Sequence, residues 1–409
     1  MFLVITNIKG LLISGAEKPL RKKEMSHAVW LEDAWLRVMF GKITGFGKMN
    51  DFVADEDDEV IDAAGSFVLP CWCDSHTHLV FAAWREKEFE DRISGLTYEQ
   101  IAARGGGILN SVQKLRKASS NELYDVAAER LDEMIRQGTG AVEIKSGYGL
   151  SLESELKMLR VIQTLKSRFP IPVKATFLGA HAIPEEFKKD RRKYIQLLKQ
   201  EMIPAIAEEK LADFCDVFCE QNYFTKDETI EILDCAAHHG MKPKVHANQL
   251  SHSGGIEAGI QCKAISVDHL EYTSESDLKL LAKHDTIATL LPGAAYFLNL
   301  PLPPARKMID AGAAVAVATD FNPGSSPTGN MNLMIFMLCI QYGLTPSEAL
   351  HAATINGAFA MDIQKECGSI AIGKNASFII TKKMDSPAFI PYSMGSNPVE
   401  KIYINGKVY

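Results

Sequence analysis

Five short stretches of this 409-residue chain carry side chains that can hold a metal ion and move protons. The densest is Asp74-Ser75-His76-Thr77-His78. Alternate residues of a strand share a face, so His-x-His at a strand end aims two imidazoles at one point. Single histidines close Gly179-Ala180-His181 and Val245-His246, and Asp268-His269 sets a carboxylate beside an imidazole. The fifth stretch, Ala318-Thr319-Asp320-Phe321-Asn322-Pro323-Gly324-Ser325-Ser326, places one acid ahead of a turn-forming run. Each has a plainer reading. His-x-His can be the polar edge of a strand, a lone histidine can sit satisfied in a core, and Asp320 can cap the turn that follows it. What outweighs these readings is that all five fall at the ends of apolar, strand-like runs. His27, His238, His239, His252, His284 and His351 lack that placement. His238 and His239 precede Gly240, where a cationic or hydrogen-bonding side chain suits a helix C-terminus.

The elements that must position these residues follow a repeating order. From about residue 67 an apolar strand is followed by a helix and another strand, with strands expected at 67–70, 141–144, 173–178, 214–218, 243–245, 264–267, 286–291 and 314–318. Ser119-x-x-Glu122 and Thr225-x-x-Glu228 are capping boxes that open two of the intervening helices, the second closing at Gly240. Eight such repeats predict an α/β fold, a (β/α)8 TIM barrel over 67–366, with its chemistry at the C-terminal ends of the strands. An open doubly wound sheet fits less well, because no Gly-rich dinucleotide loop follows the first strand. Residues 1–66 and 367–409 read instead as short strands, at 2–5, 38–40 and 60–62, then 369–372, 378–381 and 402–405. They are expected to pair into one small β-sandwich module built from both termini.

Composition narrows the partners. With 46% hydrophobic and 23% charged residues the chain reads as a globular protein with a large core. A net charge of −7 and basic runs no longer than those at 21–23 and 188–193 argue against a nucleic-acid partner. No stretch reaches the ~18–20 apolar residues of a membrane span. The eight cysteines are scattered rather than framed as disulfides, which predicts reduced thiols and a cytoplasmic setting. A small-molecule substrate remains.

Longer motifs extend the reading. Leu69-Pro70-Cys71-Trp72-Cys73-Asp74-Ser75-His76-Thr77-His78 resembles the opening motif of the amidohydrolase superfamily, and Ala353-Thr354-Ile355-Asn356-Gly357-Ala358 with Gly368-Ser369-Ile370 resembles its C-terminal signature. More narrowly, nearly the whole chain resembles the imidazolonepropionases. The resemblance rests on Arg85-Glu86-Lys87-Glu88, Gly105-Gly106-Gly107-Ile108, Lys145-Ser146-Gly147-Tyr148-Gly149, Gly179-Ala180-His181-Ala182-Ile183-Pro184 and the stretch around Asp320.

This resemblance implies one divalent metal, zinc or iron, held by His76, His78, His246 and Asp320, a ligand set that suits either ion. Cys219-Glu220 stands where dinuclear members carry a bridging lysine, which favours a single ion. The implied reaction is hydrolysis of 4-imidazolone-5-propanoate to N-formimidoyl-L-glutamate in histidine degradation. Asp320 and His269 would pass a proton from metal-activated water to the departing ring nitrogen, and His181 would stabilise the oxyanion. Arg85 offers a fork for the propionate, its alternative being an ion pair with Glu86 or Glu88. Tyr148, His181, Gln249, Asn322, Gly324 and Ser325 complete the expected substrate contacts. A homodimer is implied as well.

The chain also departs from the pattern. Cys71 replaces a usual Gly, Trp84 a small residue, and Ala376-Ser377 a usual Ala-Asp, while Gln249 stands where the family has Glu or Gln. Two rival readings remain. Another cyclic-amide hydrolase or heterocycle deaminase of the superfamily would keep the metal ligands without needing Arg85 and Tyr148. A catalytically silent barrel scaffold would need neither.

Overall fold

The structure, a computed structural model, describes residues 2–96, 100, 104, 106–394 and 396–409, so Gly105 of the glycine run lies outside it. Eight parallel strands run side by side in chain order: β6 (Trp72–Thr77), β7 (Thr139–Lys145), β8 (Val173–Ala180), β9 (Phe214–Cys219), β10 (Lys242–Ala247), β11 (Ser266–His269), β12 (Ile287–Leu290) and β13 (Val315–Val317). Almost every residue in them is buried, as parallel strands covered by helices on the outside and by one another on the inside require.

The circle closes just beyond the strand ends. Asp320 N donates to His76 O and His78 N donates to Phe321 O, both at 2.9 Å. This closure sets the first and last site segments side by side. Both expected capping boxes form, at Ser119/Glu122 ahead of the helix Ser120–Arg136 and at Thr225/Glu228 ahead of Lys226–His238. The first helix buries Leu123, Ala127, Leu131 and Met134 against the barrel, and the second ends before Gly240, whose φ of +83° is the left-handed turn that stops it. Among the described residues no helix is long and apolar enough to cross a membrane.

The two chain ends build a second, mixed sheet around β1 (Phe2–Ile13). On one side β1 pairs antiparallel with β2 (Val29–Met39), which pairs with β3 (Lys42–Lys48). On the other side it forks, its first half meeting β4 (Asp58–Asp62) and its second half β5 (Phe67–Pro70), both parallel. From β5 the sheet continues antiparallel through β14 (Phe378–Thr381), β15 (Val399–Ile404) and β16 (Lys407–Val408). Its core, including Ile5, Leu11, Leu36, Val68 and Phe378, is separate from that of the barrel.

The run 67–70, expected as the first barrel strand, therefore belongs to the terminal sheet, where Leu69 pairs with Ile379. The chain crosses over at Cys71, whose N donates to Ser377 O at 3.4 Å, while Trp72 N donates to Gly138 O at 2.9 Å. The apolar run misleads because the true first barrel strand carries Asp74, Ser75, His76 and Thr77, all polar and all buried. Of 369–372 only Ile370 makes a strand contact, an isolated bridge to Ile13. The side chain of Cys71 fits because Gly140 faces it, where a Cβ would lie 2.3 Å from that of Cys71.

Candidate metal centre and active site

Four ligand atoms from three strand ends converge on one point. His76 Nε2 and His78 Nε2 are 3.3 Å apart, and His78 Nε2 is 3.4 Å from His246 Nε2. Asp320 Oδ1 lies 3.5 Å from His76 Nε2 and 3.4 Å from His78 Nε2. Corners of a tetrahedron about 2.0–2.1 Å from its centre stand about 3.3–3.4 Å apart, the bond lengths being those of zinc to imidazole or carboxylate. The spacing thus fits one ion.

Hydrogen bonding behind the ring makes the same case. His76 Nδ1 donates to Asp268 Oδ2 at 2.6 Å, and His246 Nδ1 faces Asp216 Oδ2 at 2.9 Å. With their protons directed away, both imidazoles turn lone pairs toward the same point, an arrangement a cation stabilises. Beneath them Lys145 Nζ donates to Glu143 at 2.6 Å and to Asp216 at 2.8 Å, and Lys244 pairs with Glu143. The buried carboxylates Asp74, Glu143, Asp216, Asp268 and Asp320 outnumber the buried ammonium groups Lys145 and Lys244, leaving room for a divalent charge.

Titration follows this environment. Burial pushes Asp320 up to about 7, with the charge of His269 pulling the other way. Burial and the neighbouring cationic groups hold His76 and His78 well below the usual histidine range. His269 goes the other way. Burial opposes its charge, but Glu271, with Oε1 at 3.7 Å from Nδ1, overrides this and raises it. Asp320 and His269 are thus an acid and a base that are both shifted upward. Both sit on backbone with positive φ, +52° and +85°, a strained conformation for such residues.

Above the ligands opens a cavity of about 1230 Å³, lined by His78, Arg85, Tyr148, His181, Gln249, His269 and Asn322 among others. Arg85 Nε donates to Glu88 Oε2 at 2.8 Å, and Glu88 Oε1 also accepts from Gly107 N at 3.1 Å, so the expected cavity residue and its expected ion pair coexist. A Cβ on Gly324 would lie 2.3 Å from Arg85 Nη1, so glycine lets the guanidinium lie on that backbone. Asn322 is a brace: its Oδ1 accepts from Gly324 N at 2.7 Å and Ser325 N at 2.8 Å, and its Nδ2 donates to Asp320 O at 2.6 Å. Those N–H groups are therefore already engaged. Trp84 is not in the lining of the cavity among the described residues; it packs on Phe81 and Phe321 at 4.8 and 5.9 Å between centroids.

Comparison with known proteins gives the family of the chain. A model of the Amidohydrolase family matches residues 67–409. The imidazolonepropionase of Christiangramia forsetii is 50% identical over 410 residues, covering 100% of both chains, and that of Flavobacterium johnsoniae is 48% identical over 417 residues with the same coverage. The chain belongs to the imidazolonepropionase family of amidohydrolases. As a family member it is a hydrolase acting on a small molecule, and its histidine and aspartate cluster is that of a divalent-metal enzyme. Solved structures share the fold at lower identity. A zinc-bound adenosine deaminase from Xanthomonas campestris superposes with a TM-score of 0.72 at 15% identity, covering 99% of this chain and 92% of that one. E. coli guanine deaminase does so at 0.73 and 14%, covering 100% and 99%.

Within this family site, several residues escaped the reading of the sequence. Glu143, Lys145, Asp216 and Lys244 join Asp268, which the sequence already singles out, in the charged floor under the ligands. Glu220, read only as the place of a missing lysine, accepts from Leu250 N at 2.8 Å and Gln221 N at 2.7 Å, and so holds the loop that carries Gln249. The signal was available. A charged residue inside a barrel strand sheathed by helices has only the barrel interior to face.

Proposed function

We propose that this chain hydrolyses 4-imidazolone-5-propanoate to N-formimidoyl-L-glutamate, a step of histidine degradation. The carrying observation is the approach of His76, His246 and Asp320 to His78, each within 3.3–3.4 Å, beneath a cavity walled by Arg85 and Tyr148. A zinc or iron ion held by those four residues would supply a Lewis acid that makes water nucleophilic near neutral pH and takes up charge on the carbonyl oxygen. Asp320 accepts the proton that water loses on attack at the ring carbonyl, and with His269 delivers it to the ring nitrogen as the C–N bond breaks. Burial of Asp320, which raises its carboxyl to about 7, favours its taking up that proton.

His181 takes a different part from the oxyanion role expected of it. Its Nδ1 lies 3.1 Å from Gly147 O, which can only accept, so Nδ1 carries the proton and Nε2 offers a lone pair. Burial and the charge of His246 hold its pKa at about 3, so it stays neutral. A neutral acceptor suits an N–H of the imidazolone ring. Tyr148, pushed up by burial, remains a phenolic donor, and Arg85 receives the propionate. The family reading also carries a cytoplasmic homodimer, which sedimentation of the metal-loaded protein tests.

The deciding experiment mixes metal-loaded protein with freshly made imidazolone-propanoate. Substrate absorbance should fall and a product one water heavier should appear by mass. A folded, metal-loaded protein that leaves the substrate intact defeats this reading, and metal analysis of the native protein separates zinc from iron.

A further inference from the structure

The loop Ser146–Leu150 follows β7 and carries Tyr148 into the cavity. Its backbone is unusual. Gly147 has φ of +105°, which glycine adopts freely, and Leu150 +50°, a costly conformation for a leucine. The holder of its donors is Glu155, a fully buried carboxylate in the first turn of the helix Leu152–Arg168 that does not itself line the cavity. Its Oε2 accepts from Gly147 N at 3.1 Å, and its Oε1 accepts from Gly149 N and Leu150 N, both at 2.8 Å. Gly149 must be glycine for this, since a Cβ there would stand 2.6 Å from Glu155 N. The carbonyls of the loop are held from the other side, by Arg116 Nε to Gly149 O at 2.8 Å and Nη2 to Leu150 O at 3.0 Å.

The loop in turn governs His181. Gly147 O accepts the Nδ1 proton, and a Cβ on Gly147 would lie 2.9 Å from that nitrogen, so the imidazole rests directly on this peptide. The Tyr148 ring lies 5.6 Å from that of His181 and 6.0 Å from that of His78. We propose that Glu155 is a positioning residue for the substrate side of the site: by gathering the N–H groups of Gly147, Gly149 and Leu150 it fixes the tautomer of His181 and the seat of Tyr148. This rests on the reading that both residues touch the substrate. A carboxylate is needed because three converging donors want an acceptor-only group, and an amide would turn its own N–H toward one of them.

The test is Glu155→Gln in zinc-loaded protein labelled with 15N-histidine, the His181 signals being identified by their loss in His181→Gln. The parent should show His181 protonated at Nδ1, and Glu155→Gln should show a mixture of tautomers with metal content unchanged. The kcat/KM for imidazolone-propanoate should fall about 10²-fold, the size a misplacement near 1 Å produces, with most of the change in KM. Glu155→Asp keeps the charge with a shorter reach, so it should move both readouts the same way by less, and it stands in if the amide variant does not fold. An unchanged His181 tautomer in these variants overturns the proposal. Because the spectra are taken without substrate, a parent protein that fails to open imidazolone-propanoate defeats the functional reading and leaves the tautomer result to decide this one.

Discussion

In the terminal sheet the buried positions are residues such as Ile5, Leu11, Leu36, Val68 and Phe378; in and at the ends of the barrel strands they include Asp74, His76, Glu143, Lys145, Asp216, Lys244, His246, Asp268 and Asp320. The first kind of burial stabilises by roughly 25 cal/mol per Å² of apolar surface. The second costs several kcal/mol per ion before pairing returns any of it. Backbone strain does not follow this division, since positive φ also occurs in the terminal sheet, at Asn7, Asp33 and Phe40. At the rim positive φ occurs at His269, Leu270 and Asp320, and buried polar atoms without a hydrogen-bond partner among the described residues include His78 Nδ1 there and Trp35 Nε1 in the terminal sheet. The terminal sheet thus gains from apolar burial, whereas the barrel floor and rim carry the costly buried ionisable groups. Changes in the two regions should therefore move different observables.

The largest separation is expected from Asp320→Asn. It keeps shape but removes a ligand charge and the proton acceptor, so kcat should fall about 10²–10⁴-fold. The melting temperature of the metal-free protein should hold or rise, since one of several crowded buried carboxylates disappears. Near-normal turnover, or a large loss of stability, breaks the comparison from the side of the rim. Phe378→Ala attacks it from the other side. Phe378 is fully buried and stacks on Tyr403 at 4.8 Å between centroids, so its loss should cost about 3–5 kcal/mol in denaturant melts. The kcat/KM of the folded fraction should not change. A drop there would mean that the sheet does more than support the barrel.

Arg85→Met sharpens the picture within the cavity. Turnover of the propionate-bearing substrate should lose about 2–5 kcal/mol in kcat/KM, and an uncharged imidazolone should lose far less. Equal losses would mean that Arg85 serves only to hold Glu88, and through it Gly107.

Much of this division could be read from the residues in order, and the exceptions have physical causes. His76, His78, His181, His246, His269 and Asp320 stood out because each interrupts an apolar run at a strand end. The capping boxes at Ser119 and Thr225 announced their helices because the bonds are local. What stayed hidden depends on closure or on facing. The meeting of Asp320 with His76 and His78 follows from two backbone bonds spanning some 240 residues, which no local pattern encodes. Glu143 and Lys145, two residues apart, look like the solvent face of a strand and in fact point into the barrel. Asn322 has the composition of a binding loop and the bonds of a turn, because the same amide chemistry serves both.

The smallest expected effect concerns Gln249, three residues beyond His246. Its loop is held from below by Glu220, which accepts from Leu250 N at 2.8 Å and Ser251 N at 3.3 Å. The side chain itself lines the cavity, is only 8% exposed, and has no side-chain hydrogen bond among the described residues. Its amide atoms are not among the fully buried unpaired ones, so they are open to the cavity, where a ligand can meet them. The amide can both donate and accept, which matches the C=O and N–H edges of an imidazolone ring, but it cannot take a proton near neutral pH. That work stays with Asp320 and His269. Gln249→Ala should therefore raise KM by an amount worth about 1–3 kcal/mol while metal content and melting temperature hold. Gln249→Glu should stay active, because a carboxylate still accepts from the ring N–H and lies outside the four-residue ligand set. If Gln249→Ala binds and turns over substrate like the parent, the residue is loop structure. If Gln249→Glu is inactive, the cavity does not tolerate one more negative charge beside Asp320, and the excess of buried carboxylates around the ion is already at its limit.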